Sequence, residues 1–232
     1  MRLSFGGYSF HRLLESGAQD MFGYIAACKA LGATQLDPWN DQLAPIRCCD
    51  KAVGADPSRA LLEDYDAAYL RRVKAAADAA DLPFGCLAVD GAHIYETAPA
   101  ARAANRRIAH RWLEAGAALG VAQVRIDAGG PPEMPGEAFA IIVEGYQELL
   151  AYARERGIAL LIENHWGPSP IPDNLVRLFA ALPELGLLFD SHNWAEGMQR
   201  EGWEKCARYA RSTHFKTFRF DAEGNEPSVD VA

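Results

Sequence analysis

Three apolar runs in the second half of the chain each end in a side chain that can bind a metal. IALLIENHWG places Glu163 after Ile158–Ile162, LGLLFDSHNW places Asp190 after Leu185–Phe189, and STHFKTF carries His214 and Lys216. Glu163 and Asp190 are 27 residues apart and Asp190 and His214 are 24 apart, close to one strand–helix unit each. Two carboxylates and one imidazole suit a single hard or borderline dication: Mg²⁺, Mn²⁺, Co²⁺ or Zn²⁺. Each residue alone has a plainer reading. A Glu after an apolar strand often neighbours a helix N-cap, an Asp can itself be the cap, and a His within a strand can be a hydrogen-bonded core residue. The equivalent register of all three favours a shared metal site.

Other groups fall near the same strand ends. His165 and Trp166 follow Glu163, and His192 and Asn193 follow Asp190. His165 reads either as a ligand for a substrate hydroxyl or as a surface-loop histidine, and either His192 or Asn193 can point into a pocket. Lys216, two residues beyond His214, shares its side of a strand. It would neutralise an oxyanion or phosphate, or pair with a core carboxylate. Trp39 and His93 stand at the exits of earlier strands, with Trp39 suited to stacking on a substrate ring or to the core. His11 and Asp37 are weaker candidates.

Positioning these residues requires alternating strands and helices, and the pattern supplies them from end to end. Strands are predicted at 3–7, 34–37, 84–89, 121–126, 158–162, 185–189 and 213–218. Helical spacing predicts helices at 21–31, 65–80, 99–119, 137–156, 174–182 and 201–210, several stopped by glycine. The connection 38–62 is long enough to be functional. Continuous apolar strands such as IALLI and LGLLF are buried on both faces, as in a parallel sheet covered by helices. Parallel alternation leaves a closed barrel or an open doubly wound sheet. The first strand is followed by Gly6-Gly7-Tyr8 rather than the G-x-G-x-x-G of a dinucleotide fold, so the barrel is favoured. The active site of a barrel lies where the C-terminal ends of its strands converge.

Composition sets the outer limits. The chain has 232 residues and a formal charge of −8, with half its residues apolar. That suits one (β/α) barrel domain over residues 1–232 and a small-molecule enzyme. The charge opposes a partner role with nucleic acid, which needs a basic face. No apolar stretch approaches the roughly 20 residues that span a bilayer, and no signal peptide is evident, so no membrane partner is expected. Five cysteines without paired spacing read as reduced thiols, hence a cytoplasmic location.

The IENH, FDSHNW and HFK segments resemble the xylose isomerase-like barrel superfamily, in particular its sugar phosphate isomerase/epimerase group. The resemblance runs from the first strand to the seventh. It implies one divalent metal held by a Glu, an Asp and a His at the ends of strands five, six and seven, matched by Glu163, Asp190 and His214, and by a further Glu on strand eight. It also implies that Glu163 moves a substrate proton as acid/base, through an enediolate, on a carbohydrate substrate. At the preceding spacing, an eighth strand would begin beyond Ala232. The expectation is therefore a (β/α)8-type TIM barrel lacking its last βα unit. Open edges at its first and seventh strands would favour association into a homo-oligomer. The group's D-x-x-H on strand six reads Asp190-Ser-His-Asn193 here. A metal-dependent lyase or dehydratase, or a non-catalytic barrel fragment, are the alternatives. An abasic-site endonuclease would need more metal-binding histidines than the six present.

Overall fold

The computed structural model describes residues 2–43 and 67–227. Most of the long connection 38–62, Cys48 and Cys49, and the start of the helix expected from Tyr65 lie outside the described residues. In chain order the described elements begin with helices α1 (His11–Glu15), α2 (Met21–Ala30) and α3 (Ala67–Ala79). Strand and helix then alternate: β1 (Cys86–Val89), α4 (Pro99–Leu119), β2 (Gln123–Ile126), α5 (Gly136–Glu155), β3 (Ala159–Glu163), α6 (Pro172–Ala181), β4 (Gly186–Asp190), α7 (Gln199–Cys206) and β5 (Ala210–His214).

The five strands form one parallel sheet in sequence order. Two earlier segments extend it through single parallel bridges, Gly6 with Asp37, Leu36 with Phe84 and Trp39 with Ala88. The expected first and second strands are thus in place but pair by isolated bridges rather than ladders. Pro38, which lacks an N–H, directly follows the second and separates the bridged residues Asp37 and Trp39. This is a TIM-barrel-like α/β arrangement with seven strand positions in sequence order. Among the described residues no bridge joins the first segment to β5, yet a side chain on Gly6 would point at His214 Nε2, 4.0 Å away.

Period-2 alternation sorts each strand into two faces. Leu87, Val89, Val124, Ile126, Leu160, Ile162 and Leu187 join the helices in the large apolar layer. Cys86, Leu161 and Leu188 form a separate buried cluster on the opposite face, inside the curve of the sheet. Two residues further along that inner face stand Ala88, Glu163 and Asp190, beside Arg125 of β2. The apolar runs are buried on both faces for this reason. The helices are fixed by the ordinary devices. Asp20 caps α2 by accepting from Gly23 N at 2.9 Å, prolines open α4 and α6, and Gly120 ends α4 in the left-handed region at φ 72°. Helix α5 turns Ile142, Tyr146 and Leu149 inward, each fully buried. Such burial stabilises by about 1.5–3 kcal/mol per large apolar side chain.

The last strand departs from expectation. It spans Ala210–His214 rather than 213–218, and the preceding helix ends at Cys206, followed by a 3-10 turn at Ala207–Tyr209. Lys216 therefore lies beyond the strand, where its backbone N–H donates to Ser191 Oγ at 3.1 Å. The β4–β5 ladder also carries an irregularity. Leu187 pairs with Ala210 and Leu188 with Ser212, so Arg211 is an extra residue in β5. The polar segment Ala-Arg-Ser-Thr carries no apolar run to announce a strand, which is why the sequence pattern misplaced it.

Candidate metal centre

Glu163, Asp190 and His214 end three successive strands, and their ligand atoms lie within 4.8 Å of one another. Glu163 is 3% exposed and Asp190 fully buried. His214 Nδ1 is 3.2 Å from Glu163 Oε1. Asp190 is oriented by the turn that follows it: its Oδ1 accepts the backbone N–H groups of His192 at 2.7 Å and Asn193 at 2.9 Å. Its Oδ2 has no hydrogen-bond donor, and Lys216 Nζ stands 3.3 Å away. The Asn164 side chain stitches the ends of β3 and β4 together. Its amide donates to the Asp190 carbonyl at 2.9 Å, and its oxygen accepts the Asp190 N–H at 2.8 Å.

The inner face of β2 brings a residue that sequence reasoning missed. Arg125, its side chain only 5% exposed, places Nε 3.0 Å from Glu163 Oε2. Its Nη1 lies 2.7 Å from Asp90 Oδ1, 3.0 Å from Asp127 Oδ2 and 2.9 Å from the Val89 carbonyl. Trp39 Nε1 donates to the other oxygen of Asp90 at 2.8 Å. A continuous polar chain thus runs from Trp39 through Asp90, Arg125 and Glu163 to His214. The available signal was the period-2 trio Gln123, Arg125, Asp127, which puts charge on one face of a strand otherwise carrying Val124 and Ile126.

These neighbours set the charge states. Burial raises the Glu163 carboxyl's affinity for a proton, but the Arg125 guanidinium and the His214 imidazole outweigh it and hold the group well below the usual carboxylate range. Burial also works against charging His214, yet the hydrogen bond and charge of Glu163 win, and its pKa is raised. Burial opposes the Arg125 charge too, but Asp127, Glu163 and Asp90 overcome it, so the guanidinium stays charged. Four carboxylates (Asp90, Asp127, Glu163, Asp190) face two permanent cations (Arg125, Lys216), an excess of two negative charges with the histidines neutral. Asp190 Oδ2, which accepts no hydrogen bond and meets only the Lys216 ammonium, the imidazole and this excess fit one divalent cation.

The other expected residues divide between the centre and its rim. Asn193 reaches in, with Nδ2 3.4 Å from Glu163 Oε1 and its oxygen hydrogen-bonded to Lys216 Nζ. His165 Nδ1 is 3.7 Å from Asp127 Oδ2 and 3.9 Å from Glu163 Oε2, and its Nε2 accepts from Trp166. Lys216 pairs with a core carboxylate, one of its two readings. His192 turns outward, with Nδ1 2.7 Å from Ser191 Oγ and its ring edge-on to Phe218. Trp39 is half-buried and joined to the centre through Asp90. His93 lies further out, bound to Glu96 at 2.5 Å. His11 stacks on Tyr8 at the surface. Asp37 is buried below the centre, accepting from Cys86 N at 2.7 Å. Among the described residues no helix is long and apolar enough to cross a membrane.

A family model described as xylose isomerase-like TIM barrel matches residues 19–225. No curated protein sequence matches the chain. Among solved structures, the probable 3-DHS dehydratase AsbF, involved in petrobactin synthesis, from Bacillus anthracis is similar with a TM-score of 0.69 at 13% identity, over 96% of this chain and 75% of that one. D-psicose 3-epimerase from Clostridium cellulolyticum H10, solved with D-tagatose, gives 0.66 at 14% identity over 90% and 72%. A xylose isomerase domain protein from Planctomyces limnophilus gives 0.62 at 18% identity over 82% and 67%. At these identities the likeness is one of fold.

Proposed function

For a chain that belongs to the xylose isomerase-like TIM barrel family, we propose a metal-dependent isomerase or epimerase of a sugar or sugar phosphate, working by proton transfer beside a carbonyl through an enediolate. The observation that carries this reading is the convergence of Glu163, Asp190 and His214 at the ends of three consecutive strands, with ligand atoms within 4.8 Å. These three residues would hold the ion. When bound, it would supply Lewis-acid polarisation of the substrate carbonyl and stabilise the negative charge left by the departing proton.

The chain's own residues do the rest. Glu163 is the acid/base of this reading. Its Oε2 is fixed by Arg125, while Oε1 faces His214 and Asn193, so proton transfer would use a carboxylate already held in one orientation. Asn193 and Lys216 would meet substrate oxygens at the mouth, with Lys216 releasing Asp190 to do so. His165, beside Asp127, offers a second group able to carry a proton. Two separate proton carriers also suit loss of water from the carbon next to the carbanion, so a sugar-like lyase or dehydratase is the second reading.

Solvent exchange tests the proposal. The metal-loaded chain in D2O with Mn²⁺ is expected to place deuterium into members of a ketose and ketose-phosphate panel, and Glu163→Gln to abolish it. A conjugated, ultraviolet-absorbing product in place of exchange would select the lyase. A chain that binds Mn²⁺ yet yields neither would defeat both readings.

A further inference from the structure

The donor set is larger than the three residues proposed to hold the ion. Asp127, Glu163 and His165 also bring ligand atoms within 4.8 Å of one another, on the far side of the Glu163 carboxylate. We propose that Arg125 fills this second group as a built-in cation, so that the chain takes one divalent ion and not a pair bridged by Glu163. This rests on the metal centre proposed above and adds to it a residue that fixes how many ions the centre accepts.

The two oxygens of Glu163 are divided between two neighbourhoods. Oε2 faces Arg125 Nε at 3.0 Å, while Oε1 faces His214 Nδ1 at 3.2 Å and Asn193 Nδ2 at 3.4 Å. A bridging carboxylate would need both oxygens free for metal. Asp127 turns one oxygen the same way, with Oδ2 3.0 Å from Arg125 Nη1, and leaves Oδ1 without a hydrogen-bond partner. The guanidinium therefore already stands before Glu163 Oε2 and Asp127 Oδ2, between the two carboxylates that a second ion would share, and it is never deprotonated in proteins.

Charge and mobility point the same way. Four carboxylates against Arg125 and Lys216 leave two negative charges, which one dication neutralises. A second ion would add two further positive charges beside the buried Arg125 guanidinium, and uncompensated buried charge is strongly disfavoured. Arg125 cannot easily step aside to prevent this. Its side chain is 5% exposed and held by three carboxylates and a backbone carbonyl. Lys216, by contrast, is 37% exposed and holds Asp190 from the pocket side, where an ion can displace it.

The test is a Mn²⁺ titration of the full chain by calorimetry, with electron paramagnetic resonance to detect coupled pairs. The wild type is expected to bind one uncoupled ion. Arg125→Gln is expected to bind two, magnetically coupled, and Arg125→Gln with Asp127→Asn to return to one. Two ions in the wild type, or one in a folded Arg125→Gln chain, would overturn the inference while leaving the metal centre standing. No ion in the wild type would overturn the centre itself and the inference with it. Should Arg125→Gln fail to fold, two wild-type-background variants decide. Asp127→Asn must keep the single ion and Asp190→Asn must lose it, and the reverse would place the ion in the second group and defeat the assignment.

Discussion

Arg125 Nε stands 3.0 Å from Glu163 Oε2, with both side chains buried. A proposed metal ligand is thus held by a cation anchored in the neighbouring strand, and that cation holds two further carboxylates, Asp90 and Asp127. Arg125→Met would leave three acidic groups without their shared counter-charge. We expect a loss of about 3–5 kcal/mol in urea unfolding of the metal-free chain. Arg125→Lys should recover only part of this, because a point charge cannot reach all the acceptors of a planar fork. A loss under about 1 kcal/mol, the range of an exposed ion pair, would show that the network is dispensable.

Loading the centre should stabilise the fold. At a free Mn²⁺ concentration one hundred times its dissociation constant, stability should rise by about 2.7 kcal/mol, and a chelator should reverse it. Glu163→Gln, Asp190→Asn and His214→Ala should each remove the effect, read as a thermal shift with and without metal. His93→Ala, whose imidazole is bound to Glu96 on the rim, should keep it.

The metal-free chain should have a stability plateau in mildly acidic solution. Glu163 is held below its ordinary value of 4.5, since Arg125 and His214 outweigh the opposing burial. Its contribution is complete above 4.5 and is lost as the pH falls through the folded value. His214 is pushed above 6.5, since Glu163 outweighs burial. Its contribution is complete below 6.5 and is lost as the pH rises through the folded value. Urea unfolding in chelator should therefore decline on both sides of the window between about 4.5 and 6.5. His214→Gln should flatten the alkaline limb; an unchanged limb would assign it to another group.

The convergence of Glu163, Asp190 and His214 was legible because two of them follow apolar runs and the third lies in a His-bearing strand, and a barrel brings successive strand ends to one face. The same logic placed Asn193 and Lys216 near the centre. Arg125, Asp90 and Asp127 were not legible. A charged residue inside Gln123–Ile126 reads as a blemish in a strand until its inward neighbours are known, and its three carboxylate partners come from three different strand ends. Trp39 was visible as a strand-exit aromatic, but its link to the centre through Asp90 spans 51 residues. The limits of the last strand failed for a local reason: its pairing is made by polar residues, and its register contains an irregularity that no hydrophobic pattern encodes.

Lys216 should compete with metal. Removing its ammonium group from Asp190 Oδ2, 3.3 Å away, frees a ligand, so Lys216→Met should tighten Mn²⁺ binding by up to about tenfold, equivalent to about 1.4 kcal/mol. Calorimetry reads this directly. Weaker binding would mean that Lys216 supports the centre and does not contend with it.

The loop after β3 depends on one glycine. Gly167 adopts φ +62°, and a Cβ there would come within 2.7 Å of the Gly130 carbonyl oxygen. Gly167→Ala should cost about 1–2 kcal/mol from its left-handed backbone alone, and more from the overlap with the Asp127 loop. Urea unfolding should register the loss, and Mn²⁺ affinity should fall only slightly because the three ligands stand on strands.

The extra residue in β5 has a consequence for the direction of His214. Because Arg211 is skipped in the pairing with β4, Ser212 and His214 fall on the same face as Leu188 and Asp190. Counted without that skip, every second residue from Ala210 onward would put the imidazole among the outer helices. The imidazole of His214 thus owes its aim to an odd-numbered offset in the chain. Shortening the 210–213 segment by one residue would leave every side chain of the centre in the sequence and turn one of them out of it.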